Sequence, residues 1–439
     1  MGSDKLIKRI IDLSYTSKEG HIPSSLSVLD ILYVLYGKIL KNEDRFILSK
    51  GHASLGLYVI LEHFNLLEYN LDDFCKYNSS IGGHPSNKLK HIEASTGSLG
   101  HGLPIAVGIA MGEKIQKTNN KVFVVIGDGE SNEGTIWESA LLASNHNLNN
   151  LYCIMDYNHS NDRALKLDSV INKFNAFNWH TIEIDGHNEN EIIKALETNS
   201  DKPIFILANT VKGKGISIIE NNPEWHHKIP NDEEYKKLIN TIYLDKINLL
   251  IQSSNNLGQT FQEVFNLVNY VIETRNIIGD IAEVGVYSGD SAKILEYFKD
   301  ENKKLYLFDT FEGLKDCGEK DGDYLKNGFL FYDYNSTIER FKNNDSVIIS
   351  KGYFPEETGN ILNDKKFSFV HLDVDTYQST FNCLNYFYDK MSSHGIFIIH
   401  DYTGNNQTEG VSLAVDEFFK NKLEKPNIIG TSQCIIIKQ

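Results

Sequence analysis

Short apolar runs alternate along the chain with longer stretches of helical apolar spacing, and two of the apolar runs end in a glycine turn. The run at 122–126 leads into Gly127, Asp128 and Gly129, and the run at 281–284 leads into Gly285 and Gly289. A helix-patterned stretch and another apolar run follow each turn, at 151–156 in the first case and 305–309 in the second. Strands and helices alternating at this spacing predict parallel sheets covered by helices on both faces. The expected fold class is α/β, with two doubly wound domains, because the two turns lie about 160 residues apart, too far for one small sheet. The charged stretch 232–238 and the polar run 252–256 mark a seam of linker composition. The expected division is a domain at 1–245, a linker at 246–259 and a second domain at 260–439.

Composition narrows the function without naming it. A chain of 439 residues exceeds one ordinary hydrophobic core. A net charge of -16 argues against nucleic acid or an anionic membrane as the partner. The five cysteines, Cys75, Cys153, Cys317, Cys383 and Cys434, form no CxxC pair, so neither a zinc site nor a disulfide framework is indicated. No apolar run approaches the roughly 20 residues that span a bilayer. The opening residues lack a signal-peptide hydrophobic region, so the expected location is cytoplasmic.

In the first half, Asp128 follows a buried strand, where a carboxylate is costly unless paired or bound to metal. Asn158 closes the next apolar strand, and in a parallel sheet both strand ends open on one edge. A carboxylate, an amide oxygen and a backbone carbonyl suit Mg²⁺, which takes its remaining oxygens from a phosphate. Gly127 and Gly129 let the backbone approach that phosphate. Such a glycine turn is common by itself; the spaced asparagine makes it informative.

Residues 1 to about 230 resemble the N-terminal segment of transketolases, with several motifs in that family's order. They are Gly20-His21 with Pro23, Ser49-Lys50-Gly51-His52, Gly83-His84-Pro85, and Ser95 through Gly100. Gly127-Asp128-Gly129 with Glu133-Gly134, Asn158, Asp185-Gly186-His187, Lys212 through Gly215, and His226-His227 complete the set. The resemblance implies thiamine diphosphate and Mg²⁺, the metal held by Asp128, Asn158 and a main-chain carbonyl near Ser160. It implies that Gly97, Ser98 and Leu99 flank the aminopyrimidine, and that His21, His52, His84 and His227 line the cleft for diphosphate and ketose donor. His226 and His227 compete for one role, and Pro230 favours His227. His101 and His187 are expected to be structural, and Trp137 and Trp179 to pack. A complete transketolase also has a second domain, whose glutamate activates the cofactor; this chain has no such domain after residue 250. Glu133 resembles the residue that touches that glutamate across an interface. A separate subunit is therefore expected to complete the site, as in split transketolases.

In the second half, Glu283, Gly285 and Gly289 fit ExGxxxG at a strand end. Asp309, at the end of the next strand, has the position of an acceptor for ribose hydroxyls. The pattern alone also describes a dinucleotide site. Further along, 371–377 and 398–402 place Asp373 and Asp401 at two more strand ends, 28 positions apart. Clustered carboxylates repel unless a cation joins them, and Mg²⁺ is the default for hard oxygen ligands. A cation there orients a diol and acidifies its hydroxyl for a neighbouring base.

Residues from about 260 to 439 resemble the macrocin O-methyltransferase family of sugar methyltransferases. The carrying motifs are 279–286, 308–314, 351–354, 371–377, His400-Asp401-Tyr402 and 414–418. The resemblance implies that Glu283, Gly285 and Asp309 touch S-adenosylmethionine, that Asp373 and Asp401 bind Mg²⁺, and that Asp375 is the general base. His400 stands where the family often carries an aspartate; a neutral imidazole can also ligate a metal, with altered preference. His371 is expected to be structural. The whole is expected to be a bifunctional sugar-modifying transferase, homo-oligomeric, acting on a sugar or nucleotide-sugar. The competing expectation is a methyltransferase carrying a non-catalytic transketolase-like docking module.

Overall fold

The computed structural model describes residues 3–163, 165–254, 257–322, 332–403 and 409–439. The chain divides into two compact units, Met1–Asp245 and Lys246–Gln439. Residues 246–252, within the stretch expected as linker, continue the helix Asp232–Gln252, with Ile247 fully buried. Asn255 and Asn256 lie outside the described residues. Among the described residues, no helix is long and apolar enough to cross a membrane.

The first unit carries strands β1 (Arg45–Leu48), β2 (Val122–Gly127), β3 (Leu151–Tyr157), β4 (His180–Asp185) and β5 (Ile204–Asn209). They pair in the order β1-β2-β3-β5-β4, all parallel. Every residue of β2 is buried because the sheet is covered on both faces. Phe123 and Val125 enter one core cluster, while Val122, Val124 and Ile126 enter the other. Alternate side chains of one strand thus serve two cores, which is why its sequence is continuously apolar.

The second unit carries β6 (Asp280–Val284), β7 (Leu305–Asp309), β8 (Val347–Lys351), β9 (Phe367–Leu372), β10 (Met391–Ile399), β11 (Asn427–Ile429) and β12 (Gln433–Ile437). Their order is β11-β12-β10-β9-β6-β7-β8, with β12 antiparallel to both β10 and β11 and the rest parallel. From β6 the chain builds outward through β7 and β8, then returns to add β9 on the other side. That reversal opens a crevice at the carboxyl ends of β6 and β9, where ligands bind in such sheets.

Candidate active sites

In the first unit the pairing of Gly127 with Asp156 sets the ends of β2 and β3 side by side. Asp128 and Asn158 therefore leave the same sheet edge, 4% and 6% exposed. Asp128 accepts hydrogen bonds from the backbone N–H of Gly129 at 2.8 Å and of Asn161 at 3.2 Å. Burial nevertheless pushes its carboxyl above the usual range, a cost that a bound cation would remove. Asn158 Oδ1 accepts from the Ser160 N–H at 3.2 Å. Lys212 Nζ donates to Ser160 Oγ at 2.9 Å and to His226 Nδ1 at 2.6 Å.

These groups border a cavity of about 300 Å³ that His21, Lys50, His52, His84, Gly97 and Leu99 also line. The His21 and His52 rings stand 5.3 Å apart. Burial, followed by the neighbouring cationic and imidazole groups, holds His21 down to about 4 and His52 down to about 2. Both rings are neutral at pH 7, each with one donor and one acceptor nitrogen. Burial and the Lys50 charge lower Lys212 to about 8. Gly97 runs beneath His84, where a Cβ would come within 2.9 Å of the ring.

The structure thus gathers His21, His52, His84, Gly97, Leu99, Gly127, Asp128, Gly129, Asn158 and Ser160 around one cavity. Three expected residues stand outside its wall. Ser98 is exposed beside it, and Glu133 is exposed at the start of the helix Gly134–Asn145. His227 packs on His21 at 4.4 Å between ring centroids, and His226 takes the wall position. The short helix Pro223–Trp225, anchored by buried Trp225, aims the two successive histidines differently. His187, expected to be structural, faces Asp30 at 2.7 Å and accepts from the Val211 N–H at 2.8 Å.

Sequence reasoning missed the charge pair beneath this cavity. Lys50, 1% exposed, is ion-paired to Asp156, 0% exposed. Asp156 also accepts from Ser27 Oγ at 2.6 Å and from Thr210 Oγ1. Its signal was a lone carboxylate inside an apolar strand, which must find a partner.

In the second unit the crevice between β6 and β9 holds a cavity of about 390 Å³. Gly285, at φ +87°, passes so close to the Asp373 carbonyl that a Cβ would stand 1.9 Å from its oxygen. Gly289, at φ +81°, opens the helix Asp290–Phe298. Gly285→Ala is therefore expected to destabilise this unit by roughly 3 kcal/mol or more, read as an earlier urea midpoint for its transition. An unchanged midpoint would mean that the turn relaxes freely.

Asp373, Asp375, His400 and Asp401 line the cavity together with Asp309, Gln259 and Tyr353. His400 Nδ1 lies 3.0 Å from Asp373 Oδ1 and 3.4 Å from Asp401 Oδ2. Asp375 and Asp401 both adopt φ +61°, in the left-handed region that aspartate and asparagine tolerate better than most side chains. Burial, then repulsion from Asp373 and Asp401, pushes the Asp375 carboxyl well above the usual range. Burial opposes charge on His400, but the carboxylates of Asp373 and Asp401 outweigh it and raise the ring to about 12.

Two residues expected to touch the cofactor are engaged within the protein. Glu283 is fully buried and faces His371 Nδ1 at 2.7 Å, because pairing of β6 with β9 sets the two side by side, away from the cavity. Asp309 reaches the cavity wall, yet its carboxylate accepts from the N–H groups of Val286, Tyr287 and Phe311 at 2.7, 2.8 and 2.7 Å. It clamps the glycine turn closed. Gln259 is the residue missed here: its amide donates to Asp373 Oδ2 at 3.2 Å from a segment of linker composition.

Two sheets with strand-end carboxylates facing separate cavities define an α/β enzyme with two sites. Residues 6–252 match the family model described as transketolase, thiamine diphosphate binding domain, and residues 257–432 match that of macrocin-O-methyltransferase (TylF). The chain belongs to the transketolase thiamine diphosphate-binding family and carries a TylF-type methyltransferase domain behind it, which makes it a transferase. An apulose-4-phosphate transketolase subunit of Phocaeicola vulgatus is 34% identical over 271 residues, covering 58% of this chain and 96% of that protein. The 6-deoxy-6-sulfo-D-fructose transketolase subunit SqwG of a Clostridium species is 34% identical over 239 residues, 50% of this chain and 87% of that protein. Against human transketolase the identity is 34% over 249 residues, and the chain spans only 40% of that protein's length. Among solved structures, Campylobacter jejuni transketolase aligns with TM-score 0.48 and 21% identity, over 70% of this chain and 64% of that one. The O-methyltransferase NovP aligns with TM-score 0.36 and 22% identity, over 41% of this chain and 80% of that one.

Proposed function

We propose that this protein is a bifunctional sugar-modifying transferase, with the thiamine-diphosphate half of a split transketolase at 1–245 and a sugar O-methyltransferase at 260–439. The observation that carries the reading is that, in both units, strand-end carboxylates open onto a cavity furnished for the expected group. In the first, Asp128, Asn158 and the Ser160 carbonyl would hold Mg²⁺ on the diphosphate. Thiamine diphosphate, when bound, supplies the carbon nucleophile for two-carbon ketol transfer. Lys212, His226 and neutral His21 and His52 would orient phosphate and ketose oxygens by donating hydrogen bonds, and His84 and Leu99 would close the wall.

A partner subunit fits the surface beside that cavity. The helix Gly102–Ile115 is apolar almost throughout, yet Ile105 is 37% and Ile115 78% exposed. On the helix Gly134–Asn145, Leu141 and Leu142 are exposed as well, and Thr135 donates to the Gly100 carbonyl at 2.8 Å, next to Leu99. Two helices that start at the cofactor edge and carry exposed apolar side chains suit a domain that completes the site, with Glu133 near the start of the second. Two relatives carry "subunit" in their names, which supports the same reading.

In the second unit S-adenosylmethionine would lie over Gly285 and the start of the helix Asp290–Phe298, and would supply the methyl group. Asp373, His400 and Asp401 would hold a divalent cation that orients the sugar diol, and Asp375 would take the proton of the attacking hydroxyl. Calorimetric titration tests both halves. Saturable S-adenosylmethionine binding is expected in wild type and in Asp128→Ala, whereas Mg²⁺-dependent thiamine diphosphate binding is expected only in wild type. Failure of S-adenosylmethionine to bind overturns the methyltransferase assignment; thiamine diphosphate binding that survives Asp128→Ala and Asn158→Ala overturns the metal assignment.

A further inference from the structure

The cation site of the second unit has one nitrogen among its donors, and the surrounding groups are arranged around that nitrogen. His400 Nδ1 and one carboxylate oxygen each from Asp373 and Asp401 all lie within 4.8 Å of one another. The two nitrogen-to-oxygen separations, 3.0 and 3.4 Å, match ligand atoms on neighbouring corners around one ion. Ligands about 2.1 Å from an octahedral ion stand about 3 Å apart. Neither ring nitrogen of His400 has an aligned hydrogen-bond partner, although the side chain is only 12% exposed. A nearly buried imidazole facing two carboxylates without an aligned hydrogen bond to either suits a cation shared by all three.

Its neighbours fix which atoms are offered. Glu263 Oε2 lies 3.7 Å from His400 Nε2, one small ring rotation from a hydrogen bond. Glu263 is itself held by the Thr260 N–H at 2.7 Å and by Thr431 and Ser432 hydroxyls at 2.7 and 2.5 Å. With a cation in place of the ring's Nδ1 proton, a small rotation would let the fixed Glu263 carboxylate take the Nε2 N–H, the arrangement that tunes metal-binding histidines. On the other side the Gln259 amide occupies Asp373 Oδ2 and leaves Oδ1 turned toward His400.

We infer that His400 makes this a site for a first-row transition-metal dication of the Mn²⁺, Fe²⁺ or Co²⁺ type, bound through His400 Nδ1, Asp373 and Asp401, rather than for Mg²⁺. The inference rests on the cation site proposed above. Mg²⁺ is hard and keeps oxygen ligands, so a nitrogen donor costs it affinity. Imidazole suits the later ions, which accept mixed nitrogen and oxygen sets. Two carboxylate ligands also balance the charge of the dication itself.

Nearly every site binds transition ions more tightly than Mg²⁺, so the diagnostic quantity is the change caused by His400. The full-length chain, carrying Asp128→Ala to silence the first site, is stripped with chelator and titrated with Mn²⁺ and with Mg²⁺. Pulsed electron paramagnetic resonance of the Mn²⁺ form is expected to show ¹⁴N coupling from one imidazole, absent in His400→Asp. The Mn²⁺-to-Mg²⁺ affinity ratio is expected to fall by about tenfold or more in His400→Asp. Labelling with ¹⁵N-histidine changes the coupling in the parent protein, so the result does not depend on the variant folding. Mn²⁺ bound at this site without nitrogen coupling, or an unchanged ratio in a folded His400→Asp, overturns the inference. Mn²⁺ binding that is indifferent to both His400→Asp and Asp373→Asn overturns instead the cation site on which it rests.

Discussion

Lys50→Met is expected to destabilise the first unit by about 3–5 kcal/mol at pH 7, because it strands a fully buried carboxylate. Asp156 is 0% exposed, and without the Lys50 ammonium it keeps the hydroxyls of Ser27 and Thr210 and a long contact from the Asn158 amide, all of them neutral donors. Burial pushes Asp156 up, but Lys50 and these hydrogen bonds outweigh it and hold the carboxyl below its usual value. A depressed carboxyl contributes stability that is present above its unfolded value, about 3.9, and lost as pH falls through the folded value. In Lys50→Met the strongest influence opposing burial is gone, the neutral hydrogen bonds do not replace it, and the sign reverses. The variant's deficit is therefore expected to be largest at neutral pH and to narrow toward pH 4, where the stranded carboxylate takes a proton. Urea unfolding at the two pH values reads it. The double variant Lys50→Met/Asp156→Leu is expected to regain most of the loss, since an apolar pair of similar volume needs no charge compensation. A deficit equal at both pH values would place the loss in packing of the lysine stem.

The same pair shows where the sequence was legible and where it stopped. The continuous apolar character of β2 and β3 announces strands buried on both faces, and their glycine and asparagine ends mark one sheet edge. Asp128 and Asn158 follow from that edge alone. Lys50 and Asp156 lie 106 positions apart, and no local pattern couples them; only the folded sheet shows which cation meets which carboxylate. Which of His226 and His227 enters the cavity wall was not legible for a different reason. Successive residues in a short turn point in different directions, and the buried Trp225 that sets the turn carries no signal of its angle. In the second unit the alternation of side chains along β6 sends Glu283 to His371 rather than to the cavity. The motif identified the strand but not the face. Asp309 was placed correctly at a strand end, while its clamping of three backbone N–H groups depends on how the glycine turn closes over it.

Asp375→Asn is expected to lower the rate constant of methyl transfer by about 10²- to 10⁴-fold, the range for loss of a general base. The substitution is chosen for its backbone. Asp375 sits at φ +61°, and asparagine is among the few residues that accept the left-handed region readily. Alanine there would add strain and confuse chemistry with folding. The amide keeps the size and hydrogen-bonding reach of the carboxylate but cannot accept a proton. S-adenosylmethionine affinity is expected to stay within about threefold, because the turn at Gly285, closed by Asp309, shapes the donor end of the cavity independently of Asp375. Cation binding is expected to persist too, since Asp373, His400 and Asp401 form the ligand cluster without it. Affinity held and turnover lost would assign Asp375 to proton removal. Turnover within a few-fold of wild type would move proton removal to another group of the cavity. A joint loss of affinity and turnover would instead make Asp375 part of the cavity's framework, with the proton of the cation-bound hydroxyl passing to water.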